Sequence, residues 1–268
     1  MFDTSKPTAT FPEPIRHNLD GIPVLAQPPA GEIRGIWLHV PAYELSKEDA
    51  LPVLQRAARL GYLGVSFDPW MMGARTIPED TDDDTRRARI FANFRRNFWP
   101  ILGQTAIEVP RVLDWAEAEF GIHAPVTMTG HSMGGDIGVV AIGMDKRITR
   151  LAAVVGTPDW TRPAARDLET QTTFMDLGQA DWHARFFHDA LDPMTHPERY
   201  AHGPRIAFIL GGDDEHVPRN GAERFRTDLV ERYGLESVTI TYLDGKTHMD
   251  FMDYDLWWDE AVAQLQAQ

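Results

Sequence analysis

A serine flanked by glycines is the first group in this chain equipped for covalent chemistry. The run Gly130-His131-Ser132-Met133-Gly134-Gly135 follows an apolar stretch, 126–129, and leads into a helix-compatible one, 136–144. A nucleophilic serine on a sharp strand-to-helix turn needs that context, because the backbone is strained there and side chains two residues before or after it would collide. The bland alternative is a Gly-rich turn that only tightens a strand–helix junction. A serine hydroxyl is a weak nucleophile at neutral pH, so it requires a histidine base and a carboxylate to orient that base, in the order Ser, acid, His.

Two later segments offer those groups at strand ends, where open α/β sheets place their sites. The strand-like run 206–210 is followed by Gly211-Gly212-Asp213-Asp214-Glu215-His216-Val217-Pro218, and 238–243 by Asp244-Gly245-Lys246-Thr247-His248. Of ten histidines, His248 follows both Ser132 and a final strand with its Gly turn, which makes it the expected base. His216 competes, but it shares a loop with the acids and is expected to face solvent. Asp213 and Asp214 adjoin and must point in different directions. The spacing of Asp, two residues and Val-Pro favours Asp214 as the acid, with Asp213 structuring the turn.

The elements that must hold these groups alternate between short β-rich runs and amphipathic helical stretches, the pattern of a mostly parallel sheet covered by helices on both faces. Seven strands are expected, at 22–26, 32–40, 62–67, 126–129, 151–155, 206–210 and 238–243. The first two, separated by Pro28, Pro29 and Gly31, read as an edge hairpin. Ser46 with Asp49, and Thr105 with Glu108, resemble capping boxes ahead of helices that stop at Gly61 and Gly121, although Pro52 and Pro110 imply later starts or kinks. Two segments interrupt the alternation and are candidates for substrate-facing structure. Within 68–100, the run Glu79, Asp80, Asp82, Asp83 and Asp84 reads as a solvated loop, since its spacing fits no EF-hand. Residues 160–204, rich in aromatics, read as a small helical cap inserted in a single domain spanning 1–268.

Composition narrows the partners. A formal charge of −14, from 40 acidic and 26 basic residues, argues against nucleic acid, whose binding is driven by Lys and Arg. The start, with Asp3, Lys6 and Pro7, lacks the apolar run of an export signal, and no window approaches the roughly 18 apolar residues of a membrane helix. A soluble, cytoplasmic protein acting on a small molecule is expected, with no membrane partner; oligomeric state is not readable. The absence of cysteine decides nothing about compartment. No Cys/His ligand cluster suggests a metal, and no cofactor is needed.

With these residues in hand, the chain resembles the α/β-hydrolase superfamily, and within it the bacterial esterases similar to dienelactone hydrolases and the S9-type peptidase domains. The resemblance runs from about Gly35 onward through Leu38-His39, Gly61-Tyr62, Asp68 with Gly73-Ala74-Arg75, Phe98-Trp99-Pro100, the Ser132 turn, Leu191-Asp192-Pro193, Asp214 with Val217-Pro218, and Gly245 with His248. It implies an α/β-hydrolase fold and an oxyanion hole built from the N–H of Met133 plus a second donor after the first parallel strand. Family members usually place Gly and an N–H donor after the strand-end His. Here the sequence is His39-Val40-Pro41, and Pro41 has no N–H to give. The second donor is then the N–H of Val40 or Ala42, or the hydroxyl of Tyr43, as in relatives that use a tyrosine.

Trp70, Met71 and Met72, after a strand end, and Phe174 and Trp182 in the cap segment are candidates to line an acyl or alcohol pocket; packing between cap and body is the alternative. The expected reaction is ester hydrolysis through an acyl-enzyme, with Ser132, His248 and Asp214 as nucleophile, base and orienting acid. An amide, peptide or lactone substrate for the same groups is the alternative, although 268 residues leave no room for the propeller that peptidase relatives often carry. Dehalogenases and epoxide hydrolases use Asp where this chain has Ser132. A non-catalytic ligand-binding relative is a further alternative.

Overall fold

The computed structural model describes residues 11–168 and 170–266. The part of the N-terminal stretch before residue 11, with Asp3, Lys6 and Pro7, lies outside the described residues. Eight strands form one sheet: β1 Ile15–Leu19, β2 Ile22–Gln27, β3 Ile36–Val40, β4 Leu63–Phe67, β5 Val126–His131, β6 Ile148–Val154, β7 Arg205–Gly211 and β8 Val238–Leu243. Their order is β1-β2-β4-β3-β5-β6-β7-β8. From β4 to β8 every pairing is parallel, and strands β3 to β7 are almost wholly buried apolar runs, as a sheet covered on both faces requires. The fold is the α/β-hydrolase fold, a mostly parallel sheet flanked by helices.

The expected edge hairpin is corrected. β2 does not pair with β3; it turns back on β1 across Asp20-Gly21 and runs antiparallel to β4 on its other side. Asp20 and Gly21 both have positive φ, and Gly21 N–H donates to Asn18 Oδ1, so the tight turn lies there and not at Pro28-Pro29.

The helices are α1 Leu51–Arg59, α2 Asp83–Phe91, α3 Phe94–Phe120, α4 Met133–Met144, α5 Trp182–Leu191, α6 Asn220–Tyr233 and α7 Tyr254–Gln266. Helices α1 and α7 cover one face of the sheet, where Val53, Ala57, Trp257 and Trp258 meet Trp37, Val154 and Ile209. The larger core lies on the other face under α3 and α4, with Leu38, Val65, Met128, Leu151 and Phe208. Among the described residues no helix is long and apolar enough to cross a membrane.

Two cap signals prove to be other structures. Ser46 and Asp49 bond to each other in a turn ahead of α1, which begins with Pro52 in its first positions. Thr105 lies well inside α3, its hydroxyl donating to Ile101 O, while Glu108 pairs with Arg75. α3 starts eleven residues earlier, capped by Asn93 and running through Pro100 and Pro110.

Segment 68–100 is likewise more ordered than a loop. Asp82 caps α2 through Thr85 N–H, and buried Asp80 takes two hydrogen bonds from Arg89 at 2.7 Å, so part of the acidic run is structural rather than solvated. Residues 160–204 contain one α-helix, α5, whose Phe187 packs on Gly103 of α3, followed by two short 3-10 turns.

The turn after β4 depends on one buried carboxylate. Asp68 accepts the Lys47 N–H at 2.8 Å, the Lys47 ammonium at 3.1 Å and the Ala74 N–H at 2.9 Å. Asp68→Ala should therefore lower unfolding free energy by roughly 3 kcal/mol in denaturant titrations, because it leaves the Lys47 and Ala74 N–H groups without their acceptor and a nearly buried ammonium with only the more distant Glu48. Asp68→Asn, which keeps an acceptor, should cost less.

Candidate active site

The parallel registers bring the C-terminal ends of five strands to one edge. Val40 pairs with Gly130, His131 with Val154, Val154 with Ile209, and Gly211 with Leu243. The loops that leave β3, β5, β7 and β8 at this edge carry Tyr43, Ser132, Asp214 and His248, the polar groups noted in the sequence.

Ser132 joins β5 to α4 with φ 51° and ψ −114°, a left-handed backbone that a side-chain-bearing residue adopts only at a cost of order 1–3 kcal/mol. The surroundings enforce it. A Cβ on Gly130 would run into the Gly134 carbonyl, and one on Gly134 into the carbonyls of Val40 and Pro41. Ser132 N–H donates to Val154 O at 2.8 Å, and its carbonyl accepts from Gly135 and Asp136 N–H, closing the first turn of α4.

The structure brings Ser132, His248 and Asp214 together. Ser132 Oγ lies 2.9 Å from His248 Nε2, and His248 Nδ1 lies 2.8 Å from Asp214 Oδ2. A carboxylate can only accept, so Nδ1 carries the proton and the Nε2 lone pair faces the serine hydroxyl. Asp214 Oδ1 accepts N–H groups from His216 at 2.9 Å and Val217 at 3.1 Å, leaving Oδ2 for the imidazole. Burial alone would raise this carboxyl. The His248 charge and hydrogen bond, with the Val217 N–H, outweigh it and hold Asp214 below the usual carboxylate range.

Asp213 is exposed, and its N–H donates to Lys246 O, which ties the acid loop to the histidine loop. His248 is fixed from its other side by Thr247, whose N–H and hydroxyl both bond Asp250 Oδ2.

His216 departs from expectation. It is 5 % exposed, with its ring 4.9 Å from that of His248 in an edge contact. Its Nδ1 donates to Arg166 O at 2.8 Å, a partner fifty residues away that no local pattern announces. A second missed group lies behind the serine. Asp136, in the first turn of α4, accepts Thr157 N–H at 2.7 Å and pairs with the buried Arg162 guanidinium, which lies 5.4 and 5.5 Å from the rings of Phe94 and Phe98. A lone carboxylate in the apolar stretch 136–144 was the available signal.

Of the oxyanion candidates, Met133 opens α4, where backbone N–H groups point out of the helix end. The Val40 carbonyl packs on Gly134, and Ala42 is buried with its carbonyl bonded to Leu45 N–H. The Tyr43 hydroxyl is buried without a hydrogen-bond partner among the described residues, its ring between Phe91 and Phe98. Burial pushes this phenol above its ordinary value, so it stays a donor.

The pocket candidates divide. Met72 is fully buried in the main core and offers no surface to a ligand, which corrects that expectation. Trp182, 74 % exposed, stacks on Phe186 on the outer side of α5 and is not part of the Ser132 group. Phe174 is exposed and lies under Arg166, whose carbonyl holds His216. Trp70 lies beside the Arg75 guanidinium at 4.6 Å, and Met71, at φ 63°, packs against the main core.

Beneath the serine, His39 and His131 are buried around Trp257 and Tyr254. Burial holds both imidazoles at about 3, helped at His131 by His248 and His39, and burial with the His248 and Arg162 charges does the same to His216. These three are neutral when folded but take up protons near pH 6.5 when unfolded. Their contribution to stability is complete above pH 6.5 and is lost as pH falls toward 3, at about 1.4 kcal/mol per pH unit for each. Denaturant titrations between pH 6.5 and 4.5 should show that slope, and His39→Gln should reduce it by one proton; an unchanged slope would show that His39 is not held neutral.

No curated protein matches the sequence. Among solved structures, a protein of Thermus thermophilus superposes with TM-score 0.71 at 21 % identity, covering 96 % of this chain and 99 % of that one. A Klebsiella pneumoniae protein provisionally named a dienelactone hydrolase gives 0.64 at 15 %, over 95 % and 98 %. The Pyrococcus horikoshii acylaminoacyl peptidase gives 0.66 at 16 %, over 97 % of this chain, which spans only 42 % of that peptidase. At such identities these likenesses carry the fold alone. The model of the prolyl oligopeptidase family matches residues 104–255, more than half of the chain, and that interval contains the serine, the acid and the histidine. The chain is a serine hydrolase and belongs to the prolyl oligopeptidase family.

Proposed function

We propose that this hydrolase cleaves carboxylic esters through an acyl-enzyme formed on Ser132. The observation that supports this most is the hydrogen-bonded line from Ser132 Oγ through the His248 imidazole to Asp214. Ser132 Oγ attacks the ester carbonyl while His248 Nε2 takes its proton. The imidazolium, steadied by Asp214, then protonates the leaving alcohol, and a water repeats the sequence to free the acid and restore the serine.

The Met133 N–H and the Tyr43 hydroxyl are proposed as the donors to the oxyanion. The Tyr43 hydroxyl has no hydrogen-bond partner among the described residues, which leaves it available when negative charge develops on the carbonyl oxygen. The family's description favours one second reading, cleavage of a peptide or amide by the same groups, in which His248 would protonate an amine.

Ser132→Ala should abolish both hydrolysis of an activated short-chain ester and labelling by a fluorophosphonate; full activity in that variant sinks the proposal. A panel of matched esters and amides separates the two substrate readings. Tyr43→Phe should lower kcat by roughly a hundredfold, as loss of one oxyanion donor does, with little change in KM. An unchanged kcat would move that role to the N–H of Val40 or Ala42.

A further inference from the structure

A cavity of about 430 Å³ opens between α2, residues 167–168 and Met249. That volume falls in the range of small-molecule sites. Its apolar lining comes from Ala88, Phe91, Leu168 and Met249, and its charges from Asp84, Arg87 and Asp167. Three connections tie it to the reacting groups. Met249 directly follows His248. The wall at Asp167 and Leu168 follows Arg166, whose carbonyl holds the His216 ring against His248. Phe91 lies edge-on to Tyr43 at 5.9 Å.

We infer that this cavity receives the leaving alcohol of the substrate, an inference that rests on the ester-hydrolase reading above. His248 Nε2 delivers its proton to the leaving oxygen, so that oxygen must come within hydrogen-bond reach of His248, and the group it carries extends to the histidine side of Ser132. Met249, the residue after the base, forms one wall of the cavity, which places the cavity beside the histidine loop. Its apolar lining suits an aromatic alcohol of one or two rings.

The ligand class is therefore an ester of an aromatic alcohol, the ring resting on the apolar wall of Ala88, Phe91, Leu168 and Met249.

The test uses acetate esters of methanol, phenol and 2-naphthol, and a second series of phenyl esters with growing acyl chains, on the wild type, Ala88→Trp and Leu168→Trp. The two substitutions fill the cavity from opposite walls. Each should lower the naphthyl-to-methyl ratio of kcat/KM by about tenfold or more, with no matching trend along the acyl series. A ratio that stays constant, or a loss that follows acyl length, overturns the assignment of the cavity. Fluorophosphonate labelling of the wild type separates the two levels: if Ser132 is neither labelled nor active on any ester, the hydrolase mechanism itself fails, and the cavity assignment with it. If labelling occurs and only the ratio fails, the mechanism stands without this pocket.

Discussion

Steric exclusion around Gly134 is the constraint on which the site depends. The ends of β3 and β5 and the start of α4 meet there, with the Val40 and Pro41 carbonyls occupying the space where a side chain would be. A backbone packed that closely leaves Ser132 no relaxed conformation, and the positive φ is retained because the strands on either side are fully paired. The same crowding recurs one strand over, where Gly135 packs on Gly156 and Val155 is also held at positive φ. The strain that exposes the serine is thus shared between two adjacent strand ends and offset by the core beneath them.

That core is unusually polar for its depth. His39 and His131 carry ring nitrogens without a partner among the described residues, and Trp37 and His39 both bond Thr129. Imidazoles buried this deeply stay neutral, so they add bulk and dipoles beneath the serine without placing a second positive charge beside the His248 imidazolium. Asp136 and Arg162 form a buried pair whose charges cancel locally, and the guanidinium faces that remain cover Phe94 and Phe98. The hydrogen-bonded relay in the Ser132 group runs from Asp214 through His248.

How much of this is legible in the sequence follows from the range of the interactions involved. The Ser132 turn is local: strand, glycine, serine, glycine and helix lie within twenty residues, and each position has its own steric reason. Asp214 and His248 are readable because parallel strands end together, so residues just past two strand ends meet. The β1–β2 hairpin is not readable, because β1 is exposed along its length and shows no apolar alternation, and the partner of β2 lies some forty residues on, in β4. Thr105 with Glu108 has the letters of a cap, but Glu108 is committed to Arg75 and the true start of α3 is set by Asn93. His216 reads as a loop histidine until Arg166 O and the His248 ring bury it.

Pro41 brings these threads together. Its lack of an N–H means that the proposed oxyanion hole takes its second donor elsewhere, yet its carbonyl is one of the two carbonyls that press on Gly134 and help hold the serine turn. Proline at this place stiffens the end of β3 at the point of closest approach, where a flexible residue would let the turn relax. The missing donor then has to come from a side chain or from a neighbouring N–H. Tyr43, two residues on, keeps its hydroxyl buried beside Phe91 and Phe98 without a hydrogen-bond partner among the described residues, an arrangement that costs stability in the free protein. In the proposed mechanism this hydroxyl, without a partner among the described residues, takes up its hydrogen bond when charge appears on the substrate, so that Pro41 can keep the backbone rigid without supplying an N–H.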